Sequence, residues 1–345
     1  MPTLKDVAKK AGVAPSTVSR VINDSSRISE ETKVKVRKIM DEIGYHPNIN
    51  ARNLVKQRSH NLGLVIPYST EEAFADPFYS EILRGIGVLA HSKGFNLLLL
   101  TSNSEDEEKK TVLNAVKGKQ IDGVLLLRSK KEDELIDELT KIDFPFVIVG
   151  RPEAEEKYYW VNNDNINASE KVVDYLIKNG HQNIAMIMGN KNYIMNEDRL
   201  QGYKNAFSKN KLKVNKDLII QSDKIEHHSI YEIAQKVIKN NPEVTAFYGI
   251  SDTMAYTIMQ AMNDMNLKIP DDISIVGFNN NPMSKIVSPP LTTVDINIYL
   301  LGNKATELLI GVINGQINKY QHTIVPANII ERDSCKKIKY MFPKA

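Results

Sequence analysis

The side chains best suited to chemistry lie close together near the amino terminus. Residues 15–23 read Pro-Ser-Thr-Val-Ser-Arg-Val-Ile-Asn. Val18, Val21 and Ile22 recur at helical spacing and form one apolar stripe, leaving Ser16, Thr17, Ser19, Arg20 and Asn23 on the outer face. Short hydroxyls let a helix backbone approach a DNA groove, and a guanidinium can bond a guanine edge through two N–H groups. Catalytic patterns are missing: the sequence holds no G-x-S-x-G, P-loop, G-x-G-x-x-G or H-E-x-x-H. His227 and His228 are adjacent and cannot share one helical face as ligands, and Cys335 is the single cysteine. The expectation is a binding protein with no enzyme activity, no metal and no cofactor.

The elements that would hold this outer face are three short helices. Leu4, Val7, Ala8 and Ala11 mark the first, stopped by Gly12. Pro15 suits a first helical position, with Ala14 a poor cap, so a second helix runs from about 15 to 23. Ser29 caps a third, with Glu30 and Glu31 in its first turn and Val34, Ile39, Met40 and Ile43 expected inward before Gly44. Pro47 then breaks the helical pattern. Residues 50–56 could form two helical turns, too short to persist alone in water. Charge follows the same division: residues 1–60 carry 12 Lys/Arg against 6 Asp/Glu, while the remaining 33 basic and 36 acidic residues give a slightly negative body. A basic headpiece on such a body is the footprint of nucleic-acid binding.

Beyond residue 60 short β-rich runs alternate with helical stretches. Strands are expected at 62–66, 95–100, 121–127 and 145–149, with helices near 77–92, 105–117 and 131–141. A second cycle follows, with strands at 184–188, 244–248 and 273–277 and helices around 168–178, 199–209, 229–239 and 253–265. Two parallel sheets result, and ligands of such sheets sit beyond the carboxyl ends of the strands. The 345 residues, 42% hydrophobic and 25% charged, fit a two- or three-domain globular protein. The longest apolar runs, 97–100 and 124–127, are too short to span a bilayer, and no apolar stretch follows a basic start; a cytoplasmic protein is expected.

The run Leu4-Lys5-Asp6-Val7-Ala8-Lys9-Lys10-Ala11-Gly12-Val13, followed by Ser16-Thr17-Val18-Ser19-Arg20-Val21-Ile22-Asn23, resembles the headpiece of the LacI/GalR repressor family. Asp76-Pro77-Phe78-Tyr79, Gly180-His181-Gln182-Asn183, Arg199-Leu200-Gln201-Gly202-Tyr203 and Ile275-Val276-Gly277-Phe278 are similar to that family's regulatory core and to periplasmic sugar-binding proteins. The resemblance implies an all-α helix-turn-helix headpiece at 1–46, a hinge at 47–60, an α/β two-lobed core with parallel sheets at 61–335 and a basic tail at 336–345. It implies a homodimer on a palindromic double-stranded DNA operator, switched by a small molecule in the inter-lobe cleft. Pro15, Ser16 and Arg20 would face base edges and Thr17, Ser19 and Asn23 phosphate. Asn50, Leu54 and Lys56 would belong to a hinge helix, with Leu54 wedged into the minor groove.

Effector contacts are expected from Phe74, Asp76, Tyr79, Arg151, Trp160, Asp164, Asn196, Arg199, His228, Asp252 and Asn279. Arg199 and Asp252 could bond vicinal hydroxyls, and Phe74, Tyr79 or Trp160 could stack on a sugar ring. The stretches 160–165 and 277–280 are similar to the maltose-operon repressor branch, which implies an α-glucoside. A purine effector, a phosphorylated partner protein of the catabolite-control type, and a transport-type sugar-binding protein stay open as alternatives.

Overall fold

The computed structural model describes residues 2–45, 58–66, 74–222 and 226–338. The chain divides into two compact units, Met1–Ser59 and His60–Ala345.

The first unit holds three helices, α1 (Leu4–Ala11), α2 (Pro15–Ile22) and α3 (Glu30–Ile43). Thr3 caps α1 in a reciprocal capping box with Asp6, and Ser29 caps α3 by accepting from Thr32 N–H. Gly12 and Gly44 end α1 and α3 at φ of 67° and 65°, a left-handed conformation that costs glycine least. Val7, Ala8, Ala11, Val18, Val21 and Val36 form the buried core. Val34 departs from expectation, being 63% exposed. The stripe of α3 is Val36, Ile39, Met40 and Ile43, and Val34, about 200° from Val36 at 100° per residue, falls outside it.

The second unit contains two lobes. In the first, β1 (Asn61–Val65), β2 (Asn96–Leu100), β3 (Gly123–Leu126), β4 (Phe146–Val149), β5 (Trp160–Asn163) and β11 (His322–Val325) form one parallel sheet, in the order β11-β5-β4-β3-β1-β2. Helices α4 (Pro77–Ser92), α5 (Glu105–Lys117) and α6 (Glu134–Lys141) connect its early strands. Strand alternation separates two cores. Leu125, Val147 and Val161 face one side, while Val124, Leu126, Phe146, Ile148 and Trp160 face the other.

The second lobe is a four-stranded parallel sheet of β6 (Ile184–Met188), β7 (Ile219–Gln221), β8 (Ala246–Gly249) and β9 (Ser274–Val276), in the order β7-β6-β8-β9. Its helices are α7 (Asn165–Lys178), α8 (Ile194–Lys209), α9 (His227–Asn240) and α10 (Asp252–Asp264). Gly202 brings α8 against α7, since any Cβ there would collide with Ile166 O. The chain then forms β10 (Thr293–Asp295), crosses back as α11 (Ile298–Ile313) and β11, and returns to the second lobe in β12 (Asn328–Ile330), antiparallel to β10. Three segments therefore join the lobes: β5 to α7, β10 to α11, and β11 to β12. Among the described residues no helix is long and apolar enough to cross a membrane.

Candidate functional site

In the first unit, α2 begins without a side-chain cap because Ala14 offers none; Pro15 has no amide hydrogen to satisfy, and Thr17 N and Val18 N donate to Ala14 O at 2.9 and 3.3 Å. Pro15, Ser16 and Arg20 are exposed there, and Thr17, Ser19 and Asn23 half-buried. Asn23 Nδ2 donates to Ser19 O at 2.9 Å, and its buried Oδ1 has no partner among the described residues. Asp24 takes Arg37 at 2.8 Å and Lys33 at 3.2 Å, which fastens the end of α2 to α3. Lys33 lowers the Asp24 carboxyl below its ordinary value, chiefly through their hydrogen bond. Asn50, Leu54 and Lys56 lie outside the described residues.

In the second unit the candidate residues sit on loops at the carboxyl ends of the parallel strands. Asp76 and Tyr79 follow β1, Arg151 follows β4, Asn196 and Arg199 follow β6, Asp252 follows β8 and Asn279 follows β9. The two lobes clasp one another beside them. Ile194 N donates to Ser129 O at 3.1 Å and Lys131 N to Asn192 O at 2.9 Å, and Lys131 pairs with Glu197 at 2.8 Å. Arg151 of the first lobe grips Asp198 of the second with two bonds, of 2.6 and 3.1 Å.

Arg199 lies at the centre, 4% exposed. Its guanidinium is 3.8 Å above the Phe278 ring, donates from Nε to Asn165 Oδ1 at 3.0 Å, and donates from an η-nitrogen to Ile250 O. Burial pulls its pKa down to about 10, which leaves it charged at neutral pH. Around it are buried polar atoms without partners among the described residues: Asn196 Oδ1, Asn279 Oδ1, Thr253 Oγ1, Tyr248 OH, and both amide atoms of Asn281. Asp76, the cap of α4, faces this group from the first lobe and accepts from Phe78 N at 2.9 Å. Burial raises its carboxyl, opposed by Phe78 N–H and by the Asn281 and Thr253 side chains. Those two stand near enough to act on the carboxylate, yet neither closes a hydrogen bond to it. Buried polar groups of this kind take water or a ligand as partner, so the arrangement can accept a ligand that supplies donors and acceptors.

Several expected contacts sit elsewhere. Trp160 is 1% exposed, stacks on His322 at 4.3 Å and donates its indole N–H to Glu155 O, within the core beneath α5 and α6. It is at the amino end of β5, the wrong end for a cleft residue. Asp252 is fully buried and its carboxylate is already occupied, by Asn281 N at 2.6 Å, Ser284 Oγ at 2.8 Å and Thr293 Oγ1 at 2.5 Å. It fastens the loop after β9 rather than offering oxygens to a ligand. His228 has an 80% exposed side chain and turns to Glu232, one helical turn along α9. Asp164 caps α7 through Asn167 N at 3.0 Å, and Phe74 is 53% exposed. Arg151 is committed to Asp198 and Glu155. The structure thus gathers Asp76, Tyr79, Asn196, Arg199 and Asn279, together with Asp198 and Asn281 of the loops 196–199 and 279–281 that the resemblance points to, and adds Tyr248 and Thr253, which sequence reasoning passed over. The asparagine run 279–281 after Phe278 marks Asn281 in the sequence.

Comparison with known proteins adds to this geometry. Residues 3–48 match the family described as bacterial regulatory proteins, lacI family, and residues 173–335 match the periplasmic binding protein-like domain. The HTH-type transcriptional regulator MalR of Streptococcus pneumoniae serotype 4 is 34% identical over 334 residues, which is 96% of this chain and 99% of that protein. The regulator CelR of Thermobifida fusca is 32% identical over 335 residues, covering 96% and 98%. Among solved structures, a transcriptional regulator CelR–cellobiose complex aligns at TM-score 0.76 and 30% identity, covering 97% of this chain and all of that one. A lac repressor dimer bound to operator and the anti-inducer ONPF aligns at TM-score 0.84 and 25% identity, covering 97% and 99%.

Proposed function

This chain belongs to the lacI family of bacterial regulatory proteins, and on that footing we propose that it is a repressor released from its operator by an α-glucoside such as maltose. It is a DNA-binding transcription regulator of sugar metabolism and not an enzyme. The finer reading rests on one observation: the carboxamide oxygens of Asn196, Asn279 and Asn281 are buried around Arg199 and Asp76 without donors among the described residues. A neutral polyol supplies hydroxyl donors to such oxygens and takes back N–H donors from Arg199 and Asn281. The similarity to a maltose regulator directs the choice to maltose, and the similarity to a cellobiose complex makes cellobiose the second sugar to test.

In the proposed complex a homodimer places two α2 helices in successive major grooves of a palindrome. Pro15, Ser16 and Arg20 read base edges, Thr17, Ser19 and Asn23 hold phosphate, and Asn50, Leu54 and Lys56 engage the minor groove between the half-sites. Sugar binding alters the lobe geometry, and the paired hinge segments lose their footing.

The test is binding of the purified protein to the palindromic fragment upstream of its own gene, at fixed salt, with and without each sugar. We expect maltose to weaken operator binding about 5- to 150-fold, the usual span of allosteric coupling. Binding that no sugar changes would overturn the effector reading, and absence of specific binding would overturn the operator reading.

A further inference from the structure

A single carboxamide holds all three segments that join the lobes. Asn163, 3% exposed, closes β5 at the start of the first crossover, and its Nδ2 donates at 2.9 Å to Ile296 O in the second and at 2.9 Å to Val325 O in the third. Carbonyls only accept, so the nitrogen of this amide must face them. Asn165, two residues on, donates from Nδ2 to Asn162 Oδ1 at 3.1 Å and to Asn163 O at 3.3 Å. Its oxygen accepts from Arg199 Nε at 3.0 Å. The guanidinium fixes that amide's orientation too.

We propose that Arg199, Asn165 and Asn163 form one buried relay that converts occupancy of the cleft into a change of angle between the lobes, with Asn163 as the positioning residue at the hinge. The physical reason is geometric. The two N–H bonds of a carboxamide diverge at a fixed angle of about 120°, so Asn163 satisfies both carbonyls only over a narrow range of crossover spacing. When the lobes rotate, the three crossovers shear past one another and a buried N–H loses its acceptor. With Asn162, Asn163, Asn165 and Arg199 all at least nine-tenths buried, water cannot replace the lost bond. The hinge therefore favours discrete lobe angles over a continuum. A ligand that draws on Arg199 shifts the acceptor geometry at Asn165, whose other end is bonded to the backbone of Asn163. No hinge residue needs to touch the ligand.

This inference rests on the reading that a sugar in the cleft controls operator binding, and the experiment separates the two. Sugar affinity is measured by calorimetry with maltose and cellobiose, and operator affinity with and without sugar, for the wild-type chain, Asn163→Ala and Asn165→Ser. Neither residue is assigned a sugar contact or a DNA contact. The relay requires both variants to bind sugar and free operator within about threefold of wild type while the sugar-induced change in operator affinity disappears, to within about twofold of none. Coupling that survives in either folded variant overturns the relay, even if its melting temperature drops, since a purely structural role would lower stability and leave coupling alone. Should Asn163→Ala fail to melt cooperatively, Asn165→Ser decides, because it cuts the link to Arg199 and leaves the crossover carbonyls bonded. A wild-type chain whose operator affinity ignores both sugars overturns the effector reading, and the relay falls with it.

Discussion

At the scale of single residues, the proposed site sets groups that are saturated beside groups that are not. Asp252 accepts three bonds from its own fold, among them Asn281 N–H, and so is spent on fixing the loop that carries Asn281. Asn281 is wholly buried with both amide atoms unpaired among the described residues. Asn281→Ala should weaken sugar binding about 10-fold, the loss of one or two hydrogen bonds, while operator affinity without sugar holds. Titration calorimetry alongside a DNA-binding assay checks both halves; unchanged sugar affinity would remove Asn281 from the site. The same contrast explains what sequence could and could not say here. Arg199 drew attention because its surrounding motif is distinctive, and the structure buries it beside Phe278. The exchange of roles between Asp252 and Asn281 was not legible, because which of two neighbouring polar side chains is consumed by the fold depends on Ser284 and Thr293, far along the chain. Trp160 misled because an aromatic side chain suits a sugar ring and a core equally well, and only its position at the amino end of β5 decides.

At the scale of elements, alternation of strands and helices was readable wherever a buried run had an amphipathic neighbour, and the early βα units follow that pattern. Strand β5, the short β7, and everything after β9 were not anticipated. Three-residue strands such as β10 and β12 carry too few side chains for a period, and α11 is apolar on most of its surface, so it lacks a polar face to mark it. One interaction at this scale makes a pH prediction. His181 precedes β6, donates from Nε2 to Lys336 O at 3.1 Å and pairs through Nδ1 with the Thr245 hydroxyl at 3.0 Å, which ties the segment after β12 to the second sheet. Burial holds its pKa below the ordinary imidazole value, opposed by the Lys336 carbonyl. The unfolded chain therefore takes up this proton first. The stabilising effect is complete above about pH 6.5 and is lost as pH falls through that value towards the lower native one. Denaturant melts from pH 7.5 to 5 should show that decline, and His181→Gln, which keeps a donor but cannot titrate, should flatten it.

At the scale of the whole molecule, charge and chemistry divide between a basic reading unit and a sensing unit with its own cores. If Arg20 bonds a base edge, Arg20→Ala should weaken operator binding by about 1–3 kcal/mol and leave non-specific DNA binding nearly unchanged at the same salt. Equal loss on both DNAs would reassign it to phosphate. The path of the chain through the sensing unit has one further consequence. Strand β5 is completed by β11, and α4 packs on α11 so tightly that a Cβ on Gly85 would collide with Tyr299 O. The first lobe is thus begun early in translation and finished only after nearly the whole second lobe has been made. The three-helix unit, by contrast, draws on residues 1–59 alone. Synthesis broken off before β11 would leave β5 at an open edge of the first sheet, so the chain's last strands decide whether its earliest lobe is ever closed.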